Sequence, residues 1–273
     1  MSEISLAFSR LNGRGALIAY LMGGDPSPSL CVEVIEAVVK GGADLLELGI
    51  PFSDPIADGR AIQAAGERAL RAGIRPPDVV ALAKEAKLRH GVPLALMSYY
   101  NLLFARGPAL FLEEARLAGV DGLIVPDLPL EEAGPLLRAA KRRGLDLILL
   151  ATPETPKERL LRIARSTSGF LYLVSLRGVT GARPRLSPGV SRLIANVKRY
   201  LGNGPPLAVG FGLSRPEHIG AVLRAGADGA IVGGALVELV ARIASGEASL
   251  SSLTGFVARL KEATRVTRRP PSL

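Results

Sequence analysis

Gly41-Gly42-Ala43-Asp44-Leu45-Leu46-Glu47-Leu48-Gly49 contains, in one short run, the unit from which the fold is assembled. The amphipathic stretch Leu30–Val39 before it reads as a helix, the glycines stop that helix in the left-handed region, and Asp44 turns the chain into a sheet. Leu45–Gly49 is then an apolar run of strand length, as a strand covered on both faces must be. The phrase returns as Ala118-Gly119-Val120-Asp121 before Gly122 and as Ala225-Gly226-Ala227-Asp228 before Gly229. Its spacing is irregular, so one αβ turn is used repeatedly and no tandem solenoid is formed.

Working outward, similar runs lie at Ala16–Leu21, Leu94–Ser98, Gly122–Pro126, Leu147–Ala151, Phe170–Ser175, Leu207–Gly210 and Ala230–Gly233, which with Leu45–Gly49 makes eight strands. Helical patterns fall between them, among them Pro77–Arg89, Ala109–Ala118, Leu130–Arg143, Lys157–Arg165, Val190–Tyr200 and Glu217–Ala225. Eight βα units in roughly 250 residues are the arithmetic of a (β/α)8 TIM barrel; a doubly wound sheet rarely needs so many. The expectation is a single α/β domain over 1–273. Residues 1–14 form an extra N-terminal helix plugging the bottom face, 15–258 the barrel, and 259–273 a basic helix end and tail.

Hydrophobic residues make up 48% of the 273, enough for a sizeable core, while 4% aromatics and no Trp disfavour a nucleic-acid reader built on stacking. The net charge of +9 and a pI near 10.1 suit anionic ligands. The basic residues are nevertheless spread over many helices, and the densest run, Arg265–Arg269, lies in the tail. Arg outnumbers Lys and Gln63 is the only glutamine, a depletion of thermolabile amides that thermophily or GC-rich coding produces. Cys31 falls on the apolar face of a helix with no partner for an intrachain disulfide, which fits a reducing cytoplasm. Ala16–Met22 is too short for a signal segment and leads into Gly-Gly-Asp-Pro, and no apolar run reaches membrane-spanning length, so the expected location is the cytoplasm.

In a barrel the chemistry sits at the C-terminal ends of the strands. There the chain places Tyr20 and Asp25, Glu47 and Asp58, Tyr99 and Asn101, Asp127, Thr152, then Tyr172, Ser175 and Thr180. Glu47 is the anomaly: Leu45, Leu46, Leu48 and Ile50 leave it no water unless it faces a cavity. Burying an unpaired carboxylate is costly or forces it to keep its proton. Asp58 follows on a Pro-rich loop, so two carboxylates in unlike environments form a candidate acid–base pair. The alternative is a core Glu paired with an Arg and an Asp capping a helix. Gly210-Phe211-Gly212, Gly233-Gly234 and Gly178-Val179-Thr180-Gly181 put glycine-bearing loops after three adjacent strands, where backbone N–H groups cradle a phosphate.

Absences narrow the reaction. Lys40, Lys84, Lys87, Lys141, Lys157, Lys198 and Lys261 all fall outside the strands, which disfavours a Schiff-base aldolase. His90 and His218 sit near helix ends as surface or capping residues and assemble no metal centre. Proton transfer is left to carboxylates.

The phrases Gly24-Asp25-Pro26, Glu47 to Asp58-Gly59, Tyr99-Tyr100-Asn101, Gly178-Val179-Thr180-Gly181 and Gly210-Phe211-Gly212 resemble the tryptophan synthase alpha subunit family, over about residues 19–234. The resemblance implies retro-aldol cleavage of indole-3-glycerol phosphate to indole and glyceraldehyde 3-phosphate. It implies no cofactor in this chain, and a beta subunit holding pyridoxal phosphate in an alpha2-beta2 heterotetramer. By the same resemblance Glu47 handles the protons at the ring carbon and the hydroxyl, and Asp58 accepts the indole N–H. Tyr20, Leu96, Leu123, Phe211 and Ile231 form the apolar slot, with Tyr99, Tyr172 and Thr180 also on the substrate. Gly181, Gly210, Gly212, Gly233 and Gly234 hold the phosphate, and Pro51, Asp54, Pro55, Asn101 and Pro129 face the partner. Leu176-Arg177, Gly234 in place of a common Ser and Met22 in place of a common Thr depart from the family pattern. Another phosphate-binding barrel enzyme and a non-catalytic activator of the beta subunit are the competing readings. A base Glu after the sixth strand or a strand-end Lys would favour the former, and loss of Glu47 and Asp58 the latter.

Overall fold

The computed structural model describes residues 2–174, 188–210 and 212–266. Its strands are β1 (Ala16–Met22), β2 (Leu45–Gly49), β3 (Leu94–Met97), β4 (Gly122–Ile124), β5 (Asp146–Ile148), β6 (Leu150–Ala151), β7 (Leu171–Val174), β8 (Leu207–Gly210) and β9 (Gly229–Val232). All pairings are parallel, in the order β5-β4-β3-β2-β1-β9-β8-β7-β6. The two ends of that order, β5 and β6, are consecutive pieces of the expected fifth strand, interrupted at Leu149. The sheet therefore rolls into a nearly closed TIM barrel, with the break as the one difference from the eight expected strands.

The helices are α1 (Glu3–Arg10), α2 (Pro28–Lys40), α3 (Arg60–Arg71), α4 (Pro76–His90), α5 (Tyr100–Arg106), α6 (Pro108–Leu117), α7 (Gly134–Arg142), α8 (Lys157–Ser166), α9 (Pro188–Leu201), α10 (Pro216–Arg224), α11 (Gly234–Ala244) and α12 (Leu250–Glu262). Proline opens several of them, where its missing N–H costs nothing. Gly42, Gly119 and Gly226 end α2, α6 and α10 with φ of +97°, +77° and +111°, the stop expected of them.

The aspartates after those glycines form one repeated clip. Asp44 donates its N–H to the Leu17 carbonyl and its carboxylate accepts the Leu17 N–H at 2.7 Å. Asp121 does the same with Leu94, and Asp228 with Leu207. Each carboxylate also meets a lysine from the helical ring: Lys261, Lys87 and Lys198. The start of each strand is thereby pinned to its neighbour at the bottom of the barrel.

Two apolar layers follow. Ile18, Leu45, Ala95, Ile124, Ile148, Phe170, Ala208 and Ile231 fill the barrel interior, and α1 contributes Ile4, Leu11 and Phe8 from below. Phe8 meets Phe170 at 5.8 Å between ring centroids, so the N-terminal helix is the expected plug. The larger cluster lies between strands and helices and includes Leu46, Leu48, Leu96, Leu123 and the buried Cys31. Among the described residues no helix is long and apolar enough to cross a membrane.

Candidate active site

Parallel register places Tyr20 beside Glu47, and Glu47 beside Ala95. Cross-strand partners share a face, and Ala95 belongs to the interior layer, so Glu47 points into the barrel near its top. It is fully buried, and neither carboxylate oxygen has a hydrogen-bond partner among the described residues. Burial, then the charge of Asp58, raises its pKa to about 8. Near neutrality Glu47 therefore carries a proton and can give it up.

Asp58 lies on the loop between β2 and α3, half-buried, with a pKa raised by burial to about 6 against the pull of a Tyr99 hydrogen bond. The two carboxylates thus stand on opposite sides of neutrality, the separation an acid and a base need. Loop placement alone is imprecise, yet this loop is framed from two sides. Tyr99 accepts the Ala57 N–H at 2.9 Å and its ring lies 5.1 Å from that of Phe52. Gln63 donates to the carbonyls of Asp58, at 3.0 Å, and Pro55, at 3.4 Å. Tyr99 was expected on the substrate; its contacts here are with the Asp58 loop.

Tyr20 is the cross-strand partner of Glu47, and Tyr172 feels the charge of Glu47. A Cβ on Gly49 would lie 2.2 Å from the Tyr20 hydroxyl, and one on Gly210 would lie 3.0 Å from that of Tyr172. The bare backbone at these strand ends lets both phenols lie against it. Gly210, expected at the phosphate, makes this close approach possible. Burial, and then the carboxylates Asp58 and Glu47, push both phenols well above their usual pKa, so they remain neutral.

The slot residues need correction. Leu96 pairs with Leu48 and Leu123, one residue out of step with Glu47 and Ala95, and so both leucines face the helical layer. Their neighbours Met97 and Ile124 pack with the interior, as Ile231 does, Met97 touching the helical-side cluster as well. Phe211, Thr180 and Gly181 lie outside the described residues, as do Ser175, Leu176-Arg177 and most of the basic tail. At the expected phosphate end, Gly212 takes φ +63°, Gly233 is the N-cap of α11 and Gly234 its first residue. The first N–H groups of that helix have no intrahelical acceptor.

Elsewhere, Asp127 accepts the Tyr100 N–H and caps α5, and Asp25 is buried in a bidentate pair with Arg68 of α3. His218, expected as a surface or capping residue, is buried, and from the first turn of α10 its Nδ1 accepts the Ser214 N–H at 3.3 Å. Of the residues expected to face a partner, Asp54, Asn101 and Pro129 are exposed, Pro55 is partly so, and Pro51 is buried. Ile56 and Phe104, unremarked in the sequence, are 86% and 67% exposed and add apolar surface. The other missed contributors are Gln63, Met97 and Ile124. Gln63 had one signal, as the only glutamine, four residues beyond Gly59.

Comparison with known proteins places the chain in a family. The family model described as tryptophan synthase alpha chain matches residues 6–265. The tryptophan synthase alpha chain of Prochlorococcus marinus (strain MIT 9313) is 49% identical, over 90% of this chain and 89% of that one. That of Carboxydothermus hydrogenoformans is 48% identical over 88% and 90%. Among solved structures, tryptophan synthase subunit alpha from Legionella pneumophila str. Paris superposes with a TM-score of 0.87 at 36% identity, covering 97% of this chain and 98% of that one.

Proposed function

This chain belongs to the tryptophan synthase alpha chain family, and on that premise we propose that Glu47 is its acid–base group and Asp58 its acceptor for the indole nitrogen. The activity is retro-aldol cleavage of indole-3-glycerol phosphate to indole and glyceraldehyde 3-phosphate, a carbon–carbon lyase step in tryptophan synthesis. The chain needs no cofactor of its own; pyridoxal phosphate belongs to the beta subunit that consumes the indole.

What carries the assignment is the buried Glu47 carboxylate without a partner. Protonated Glu47 delivers its proton to ring carbon C3, which leaves the ring cationic. Asp58, ionised, holds the indole N–H and stabilises that cation. As the bond to the glycerol carbon breaks, its electrons neutralise the ring. The side-chain hydroxyl becomes the aldehyde and its proton returns to Glu47. Protons balance without water, and one carboxyl serves both transfers. Tyr20, Tyr172, Met97, Ile124 and Ile231 border the indole. Gly212, Gly233 and Gly234, with the positive end of α11, receive the phosphate, and Gly181, Thr180 and Phe211 complete the site in this reading.

The partner is a beta subunit. We place its docking surface on the top face, where Asp54, Pro55, Asn101 and Pro129 accompany the exposed Ile56 and Phe104, and the assembly as an alpha2-beta2 heterotetramer in the cytoplasm. Indole release by Glu47→Gln and Asp58→Asn tests the carboxylates: turnover within a few-fold of wild type in either would remove it from the chemistry. Phe104→Asp tests the face, since stimulation by the beta subunit should disappear, and light scattering of the mixture reads the stoichiometry.

A further inference from the structure

The amide of the only glutamine of the chain reaches two carbonyls of one turn. Gln63 is the fourth residue of α3, and its backbone N–H closes that helix on the Gly59 carbonyl at 3.0 Å. Helical side chains lean toward the N-terminus, so its amide reaches back over the loop that precedes the helix. There Nε2 meets the carbonyls of Asp58 and Pro55, while the Asp58 N–H itself donates to Pro55 at 3.1 Å. A primary amide has two N–H donors, enough for the two carbonyls that Nε2 reaches at either end of the turn bearing the Asp58 side chain. Tyr99, the N-cap of α5, holds the intervening residue by accepting the Ala57 N–H.

We propose that Gln63 is a positioning residue for the cleavage reaction: it locks the turn that carries Asp58 into its working arrangement from within the chain. The inference rests on the assignment of Asp58 to the indole nitrogen. It divides the ordering of the loop into an internal part, supplied by Gln63 and Tyr99, and an external part supplied by the docked beta subunit. Misplacing a catalytic group by even an ångström is expensive in rate, so the internal part sets the turnover of the isolated chain.

Gln63→Glu and Gln63→Met separate donors from volume. Glutamate keeps the shape but turns an acceptor toward two carbonyls, and early in a helix its charge does not harm folding. Methionine keeps the length with neither donor nor charge. Both variants should lower kcat of the isolated chain about tenfold with KM within about twofold, and the beta subunit should stimulate both more than it stimulates wild type. Turnover within about twofold of wild type in both variants, loss in Met with full activity in Glu, or unchanged stimulation would overturn the proposal. Asp58→Asn is assayed alongside. If it retains turnover, the Asp58 assignment fails and the positioning role with it; if it is inactive while the Gln63 variants are unimpaired, only the positioning role fails.

Discussion

At the bottom of the barrel, Asp44, Asp121 and Asp228 each accept a strand N–H and pair with a lysine. At the top, Glu47 is buried more deeply than any of them and has neither a donor nor a counter-ion among the described residues. The same functional group is used in two ways. A carboxylate whose charge is matched holds strands in register; one whose charge is unmatched holds a proton that can be moved. The chain has lysines available, and it places Lys87, Lys198 and Lys261 at the bottom. Stability is assigned to one rim and, in the function proposed above, reactivity to the other, the division that barrel enzymes share.

The sharpest way to break this contrast is Glu47→Gln. An amide of the same shape cannot shuttle a proton, so turnover should fall at least roughly 10²-fold while substrate still binds. Stability should rise, with a definite pH dependence. The folded-state pKa of about 8 lies above the ordinary value of 4.5, so the folded chain keeps a proton that the unfolded chain has lost. Wild type is therefore unpenalised below about pH 4.5, loses stability as pH rises, and carries the full penalty above about pH 8. The variant should gain about 2–5 kcal/mol over wild type at alkaline pH and almost nothing near pH 4. Denaturant titrations at the two pH values check the difference; an equal gain at both would show that Glu47 is ionised at no cost.

The same two groups predict a bell-shaped single-turnover rate. The proposed mechanism requires Asp58 ionised and Glu47 protonated, so under it the rate should climb through about pH 6 and decline through about pH 8. Each limb should approach tenfold per unit, roughly, well outside the plateau. Asp58→Asn should remove the acid limb from whatever rate survives.

At the other rim, Asp121→Ala leaves the Leu94 N–H without its acceptor and the partly buried Lys87 without its partner. It should cost about 2–4 kcal/mol with kcat unchanged, measured by thermal unfolding beside indole release. A comparable loss of kcat in the folded variant would mean that the rims are not independent.

How much of this was legible in sequence depends on what each feature leaves behind. The helix stop and aspartate at residues 41–44 are local chemistry, and the strands they introduce were found with their ends within a residue or two. Glu47 was legible because a charge inside an apolar run is conspicuous. Leu96 and Leu123 were misplaced for the opposite reason. Strands covered on both faces lose the alternation that tells inside from outside, and only the register with Glu47 reveals that Met97 and Ile124 point inward. Gln63 left little trace, because its partners are backbone carbonyls, which any residue type supplies. His218 looked like an exposed cap, since the packing that buries it comes from distant elements.

The smallest effect, and the finest test of the contrast, lies at Gly234. A Cβ added there would meet only the Ala61 Cβ at 3.9 Å, an ordinary contact, and its φ is not among the positive ones. Gly234→Ser is thus free of strain, and it trades a glycine in the first turn of α11 for a residue that suits a helix start. If the phosphate sits at this helix end, the new hydroxyl supplies one more donor to an anion, worth about 0.5–1.5 kcal/mol. KM for indole-3-glycerol phosphate should fall a few-fold, with kcat nearly constant, because a phosphate contact is equally present in substrate and transition state. A stability gain of under about 1 kcal/mol should accompany it. The outcome to set against Asp121→Ala is the separation of readouts: the top-rim change moves KM and barely moves unfolding, whereas the bottom-rim change does the reverse. An unchanged KM, with the small stability gain present, would move the phosphate away from α11.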